Sequence, residues 1–127
     1  MKALVIDDSR VMRRIVSSIL VDLGFVTVEA GDGREALEQL EAHPDVTLCC
    51  IDWNMPVMTG LEFVVETRKH DQLRDVTLMM VTTEGEYDQI VRALAAGAHE
   101  YVIKPFTRDV IVDKLQLLGL MPTGVSR

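Results

Sequence analysis

The sequence is short of the residues on which several function classes depend. It has two cysteines, and they are neighbours, Cys49-Cys50. On a strand such side chains face opposite ways, so both read as reduced core thiols. The three histidines, His43, His70 and His99, lack metal-like spacing and are expected at the surface. Basic residues number 13 against 20 acidic ones, giving a net charge of −7 and a pI near 4.8. That balance argues against direct nucleic-acid binding, because phosphate backbones select basic surfaces. No apolar run approaches the roughly 18 residues of a membrane helix. The apolar stretch within Met1–Asp8 is far too short for a signal peptide. The expectation is a cytoplasmic protein without membrane insertion.

What is present suffices for one domain. The 127 residues, 48% of them hydrophobic, allow a substantial core. The chain is organised around Thr47-Leu-Cys-Cys-Ile-Asp52, an apolar run ending in a carboxylate, followed by Trp53-Asn-Met-Pro56. A run without polar alternation predicts a strand buried on both faces, as in a parallel sheet. Similar runs are Ala3–Ile6, Val26–Ala30 (more mixed, hence nearer an edge), Val76–Thr82 and Tyr101–Ile103. Helices are predicted between and after them. The first runs from about Ser9 to Leu23, with Met12, Ile15, Val16, Ile19, Leu20 and Leu23 inward and Arg13, Arg14, Ser17 and Ser18 outward. The second starts at an Asp32/Glu35 pair and buries Ala36, Leu37 and Leu40; Pro44 follows its end. The third starts at a Thr59/Glu62 capping box, buries Leu61, Val64 and Val65, and reaches about His70. The fourth covers Glu86 to Ala96, with Tyr87, Ile90, Val91 and Leu94 on one side and Gly97 at its end. The fifth is capped by Thr107 and held by Ile111, Leu115 and Leu118. Five strands alternating with five helices, joined by right-handed crossovers, predict a doubly wound α/β domain with a parallel sheet in the order 2-1-3-4-5. Residues 1–120 form the expected domain and 121–127 a tail.

The strand ends carry the chemistry. The first gives Asp7 and Asp8, the third Asp52, the fourth Thr82 and the fifth Lys104. In this fold class those ends share one edge of the sheet, where ligands bind. Three carboxylates there repel: two unit charges about 4 Å apart cost about 4 kcal/mol at an effective dielectric near 20. The cluster must take up protons, pair with a cation or bind a metal. All-oxygen ligation with open positions suits Mg²⁺. Lys104 and Thr82 are suited to phosphoryl oxygens, and a carboxylate beside them can act as nucleophile to give an aspartyl-phosphate. Taken singly, an Asp-Asp pair is a helix cap, Lys-Pro is loop punctuation, and Thr82 and Tyr101 are ordinary strand residues. Their joint placement at four of five strand ends is what points to a site.

The set Asp7-Asp8, Asp52-x-x-Met-Pro, Thr82 and Lys104-Pro105 resembles the receiver domain of two-component response regulators. Asp52-Trp-Asn-Met-Pro56 and Tyr101-Val-Ile-Lys-Pro-Phe-Thr107 are similar to the single-domain chemotaxis members of that family. The resemblance spans residues 2 to about 119. It implies that Asp52 is the phosphoacceptor and that Asp7, Asp8 and Asp52, with the backbone carbonyl of Asn54, hold Mg²⁺. It also implies that Thr82 and Lys104 bind the phosphoryl group, that Pro105 is cis, and that Tyr101 moves inward when Thr82 turns toward the phosphate. A histidine-kinase phosphodonor domain is the implied partner on one side, near Arg13 and Arg14. An output protein on the fourth helix, fifth strand and fifth helix is the other. Asn54 and Glu84 match positions that tune phosphate lifetime. Thr83 departs from the very small residue usual after the switch threonine, which predicts narrower access. The expected protein is a switch that accepts and hydrolyses its own phosphoryl group, and no enzyme beyond that. The alternative, a small Mg²⁺-dependent aspartyl-phosphate phosphatase of the haloacid-dehalogenase type, needs Asp-x-Asp at the first strand, whereas Asp7 and Asp8 are adjacent. A flavodoxin-like binding module needs a phosphate-cradling loop where Asp-Asp-Ser-Arg stands.

Overall fold

Each apolar run becomes a parallel strand in the computed structural model, which describes residues 1–83 and 87–121. The strands are β1 (Lys2–Ile6), β2 (Val26–Ala30), β3 (Val46–Ile51), β4 (Thr77–Thr82) and β5 (Glu100–Ile103). They form one sheet in the order β2-β1-β3-β4-β5, the expected doubly wound α/β arrangement. The helices are α1 (Arg10–Asp22), α2 (Gly33–Ala42), α3 (Gly60–Arg68), α4 (Tyr87–Ala96) and α5 (Arg108–Leu117), with a short 3₁₀ turn at Asp71–Leu73. The expected helix start at Glu86 lies outside the described residues.

Local chemistry sets the helix starts. Ser9, Asp32, Thr59 and Thr107 each accept a backbone N–H from the first turn of the helix that follows, meeting a donor that has no partner within the helix. Thr59 and Glu62 form the reciprocal box. Glu35 differs: its carboxylate accepts from Gly31 N, one residue before the cap. Gly97 turns the chain out of α4 at φ 122°, a conformation open to glycine.

The sheet separates two cores. Cys49, Ile51, Phe63, Val64 and Ala93 belong to the one under α2, α3 and α4. Cys50, Val16, Leu20, Ile111 and Leu115 belong to the one under α1 and α5. The adjacent cysteines thus point into opposite cores, both free thiols, and burial pushes the Cys50 thiol up to about 12.

Three helix faces differ from expectation. In α1, Ser17 is buried and Ile15 is 44% exposed. In α3 the buried set is Gly60, Phe63, Val64 and Thr67, while Val65 is exposed and Leu61 half-buried. In α4 only Ala93 is buried, and Tyr87, Val91 and Leu94 are exposed. These helices carry apolar residues over more than one face, so a hydrophobic stripe alone does not fix their rotation. The threonine and serine that face inward bear no apolar mark; Thr67 is accommodated by donating its hydroxyl to Phe63 O at 2.8 Å. Two of the histidines are also more engaged than expected. His43 is half-buried, with its Nδ1 3.3 Å from Lys2 Nζ. His99 Nδ1 accepts from Leu78 N at 3.1 Å.

Candidate phosphoacceptor site

Parallel strands bring their C-terminal ends to one edge, and register decides which side chains meet there. Ile6 is level with Ile51 and Thr82 with Ile103. Asp7 and Asp52, the next residues of β1 and β3, therefore emerge side by side, level with Val81 and Val102, whereas Lys104 leaves β5 two residues further along and reaches back to them with its side chain. Asp7 and Asp52 are buried while Asp8 is exposed. One carboxylate oxygen from each of the three lies within 4.8 Å of the others.

Lys104 crosses the cluster. Its Nζ lies 2.8 Å from Asp7 Oδ2 and 3.3 Å from Asp52 Oδ1, with the side chain 10% exposed. Its backbone N–H donates to Thr82 O at 2.8 Å, which ties β5 to the strand end that carries the buried Thr82. The Lys104–Pro105 peptide is cis. Asp7 Oδ1 is held by Ser9 N at 2.9 Å, so the start of α1 orients this carboxylate.

One ammonium faces three carboxylates. Burial holds the Asp52 carboxyl above the usual aspartate value, the Asp7 carboxylate pushes it the same way, and Lys104 opposes both. An all-oxygen set with surplus negative charge fits a hard divalent cation. The residues present are therefore a fit for Mg²⁺.

The loop after β3 supplies the remaining wall. A Cβ on Gly60 would lie 2.3 Å from Asp52 O, and Gly60 N donates to Trp53 O at 2.9 Å. Only glycine allows α3 to start this close to the Asp52 backbone. Gly60 is marked in the sequence only as a glycine directly after a capping threonine, eight residues beyond Asp52. The loop also turns at Val57, whose φ is 69°, while Met58 N donates to Pro56 O at 2.7 Å. This is a γ-turn of the strained hand, built on a β-branched residue.

The other expected residues are placed as follows. Asn54 and Thr83 are exposed, and Glu84 lies outside the described residues. Tyr101 is half-buried, with Lys114 Nζ 4.7 Å from its ring centroid. Arg13 corrects the picture of two exposed arginines. Its side chain is 17% exposed and bound to Glu29, with Nη1 donating to Asp7 O at 2.6 Å. Arg13 braces the backbone of the acidic site, and Arg14 alone is exposed.

Comparison with known proteins agrees with this geometry. The family model for the response regulator receiver domain matches residues 3–116. The chemotaxis protein CheY1 of Helicobacter pylori is 43% identical over 119 residues, 93% of this chain and 96% of that protein. Chemotaxis protein CheY of Pseudomonas aeruginosa is 43% identical over 117 residues, 91% and 94% of the respective chains. Among solved structures, the chemotaxis response regulator CheY4 of Vibrio cholerae superposes with a TM-score of 0.85 at 37% identity, covering 92% of this chain and 97% of that one.

Proposed function

The chain belongs to the receiver domains of two-component response regulators, and on that premise we propose that it is a phosphorylation-dependent switch with Asp52 as acceptor. The observation that carries this reading is the buried Asp52 carboxylate, which shares the Lys104 ammonium with Asp7 at the edge where β4 ends at Thr82. Asp7, Asp8, Asp52 and the backbone carbonyl of Asn54 would hold Mg²⁺, which when bound offsets the negative charge of the carboxylates and the phosphoryl group.

In the proposed reaction an Asp52 carboxylate oxygen attacks the phosphorus of a kinase phosphohistidine. An O–P bond forms as the N–P bond breaks, and the electron pair remains on the imidazole, which takes a proton from solvent. Lys104 exchanges its carboxylate contacts for a phosphoryl oxygen, and the Thr82 hydroxyl donates to another. A water later attacks phosphorus, releasing inorganic phosphate and restoring the carboxylate. Asn54, Thr83 and Glu84 are assigned to tuning that step and with it the lifetime of the phosphate. This is self-modification rather than turnover of a separate substrate, and it sets the protein apart from the phosphatase alternative.

The output surface proposed is α4–β5–α5. In its support, α4 leaves Tyr87 79% and Val91 43% exposed, a considerable apolar area for one short helix. Tyr101 on β5 links that face to Thr82. The kinase phosphodonor domain is assigned to the side of Arg14. Residues 1–120 are taken as the receiver unit, with 121–127 as a tail. Among the described residues no helix is long and apolar enough to cross a membrane, and a cytoplasmic location is proposed. With Mg²⁺ and acetyl phosphate, intact mass should rise by one phosphoryl group and Asp52→Asn should abolish the gain. Undiminished labelling of that variant would overturn the assignment.

A further inference from the structure

A small pocket lies between α4, the second half of β4 and the start of β5, and Trp53, Thr82, Gln89 and Tyr101 are among the residues that line it. Gln89 comes from the first turn of α4. Its Oε1 is buried without a hydrogen-bond partner, one of two such side-chain atoms among the described residues. A buried acceptor left unpaired costs free energy, and here it lines the same pocket as the Tyr101 ring. Tyr101 has a hydroxyl to donate and is half-buried. The Lys114 ammonium lies 4.7 Å from its ring centroid and is itself held by Glu100 at 2.9 Å.

We infer that Gln89 is the seat of Tyr101: when the ring turns into this pocket, its hydroxyl donates to Gln89 Oε1. The inference rests on the switch reading above and adds the residue that receives the ring. Its physical content is a difference between two states. The bond is absent in the structure described, because Oε1 has no partner there, and it forms only in the other state. A contact of that kind biases an equilibrium, whereas one made equally in both states biases nothing. Gln89 would also couple the position of the ring to α4, so that seating Tyr101 fixes the first turn of the helix that presents Tyr87 and Val91. Gln89 is a positioning residue in this scheme, since it acts through Tyr101 and touches no phosphoryl oxygen.

The test uses the full chain with Tyr87→Phe, so that incorporated 3-fluorotyrosine reports on Tyr101 alone by ¹⁹F NMR. Spectra are taken with and without saturating Mg²⁺ and beryllofluoride, a stable stand-in for the phosphoryl group, while Trp53 fluorescence follows binding independently. Beryllofluoride should populate a second Tyr101 resonance. Gln89→Leu and the length-preserving Gln89→Met should each lower the ratio of the two resonances about tenfold at full occupancy, the order expected for one lost hydrogen bond. An unchanged ratio in Gln89→Met with beryllofluoride bound overturns the seat and leaves the switch standing. A bound protein with a single, unshifted Tyr101 resonance also overturns it. Failure of the parent protein to bind beryllofluoride, with Asp52→Asn indistinguishable from it, overturns the receiver reading and this inference together.

Discussion

Replacing Asp52 should make the metal-free protein more stable. In Asp52→Asn the amide occupies the same volume and keeps an oxygen for Lys104, but the charge is gone. Asp52 has Asp7 and Asp8 carboxylate oxygens within 4.8 Å, each repelling it by about 3.5 kcal/mol at an effective dielectric near 20. Lys104 at 3.3 Å returns about 5 kcal/mol at the same dielectric. The two repulsions exceed the attraction by about 2 kcal/mol. Screening at the exposed Asp8 lowers that figure and burial of Asp52 raises it, so about 2 kcal/mol is the expected gain. The assay is urea unfolding followed by far-UV circular dichroism in EDTA at neutral pH, with the slope unchanged and the midpoint raised. Adding Mg²⁺ should stabilise the parent protein by mass action and the variant much less, closing the gap.

The pH dependence has a definite sign. Burial and Asp7 hold the Asp52 carboxyl above its ordinary value of 3.8. Between that ordinary value and the raised one, the native carboxyl takes up a proton while the unfolded one does not. The parent protein therefore gains relative stability as pH falls through this window, and the advantage of Asp52→Asn should shrink on acidification. A variant less stable than the parent in EDTA, or an advantage that grows toward acid, would refute the charge argument.

Three further outcomes are expected. Val57→Asn should stabilise by about 1 kcal/mol, because asparagine tolerates the left-handed φ that valine holds only under strain; thermal unfolding showing no gain would place the strain elsewhere. Arg68 donates to the carbonyls of Leu73, Arg74, Val76 and Gly97, so Arg68→Ala should cost about 3 kcal/mol by urea unfolding. Lysine, with a point charge in place of a planar fork, should not rescue it. Thr83→Ala should speed labelling by acetyl phosphate more than it speeds hydrolysis, because water needs less room; equal labelling rates by stopped-flow Trp53 fluorescence would remove the steric role of Thr83.

The strands and the candidate site were legible for one reason. A parallel strand buried on both faces carries a continuous apolar run, so its C-terminal end is marked by the first charged or hydroxylated residue after that run. Asp7, Asp52 and Thr82 are such marks, and Lys104 follows Ile103 in the same way. Parallel topology then collects the marks at one edge without any knowledge of side-chain geometry. The capped helix starts were legible for a related reason, since Ser9, Asp32, Thr59 and Thr107 bond within three residues of themselves.

Helix rotation was legible for α2, which buries Ala36 and Leu40, and for α5, which buries Ile111 and Leu115, but only in part for α1, α3 and α4, where it is decided by partners far away in sequence. Ser17 is inward although nothing local requires it, and Val65 is outward although it is as apolar as Val64. Arg13 shows the same limit at the site. As one of two adjacent arginines on α1 it reads as half of a solvated basic face, yet the Asp7 carbonyl and Glu29 draw it in and leave Arg14 outside. The consequence bears on function: the pair cannot act as one docking patch while Arg13 braces Asp7. Under the docking side proposed above, recognition of a kinase would fall to Arg14 and to the apolar Val11 and Ile15, which are 69% and 44% exposed on the same helix. A substitution at Arg13 therefore perturbs the acidic site through the Asp7 backbone, and its effect on phosphotransfer has to be separated from partner affinity by comparing kinase-driven with acetyl-phosphate-driven labelling.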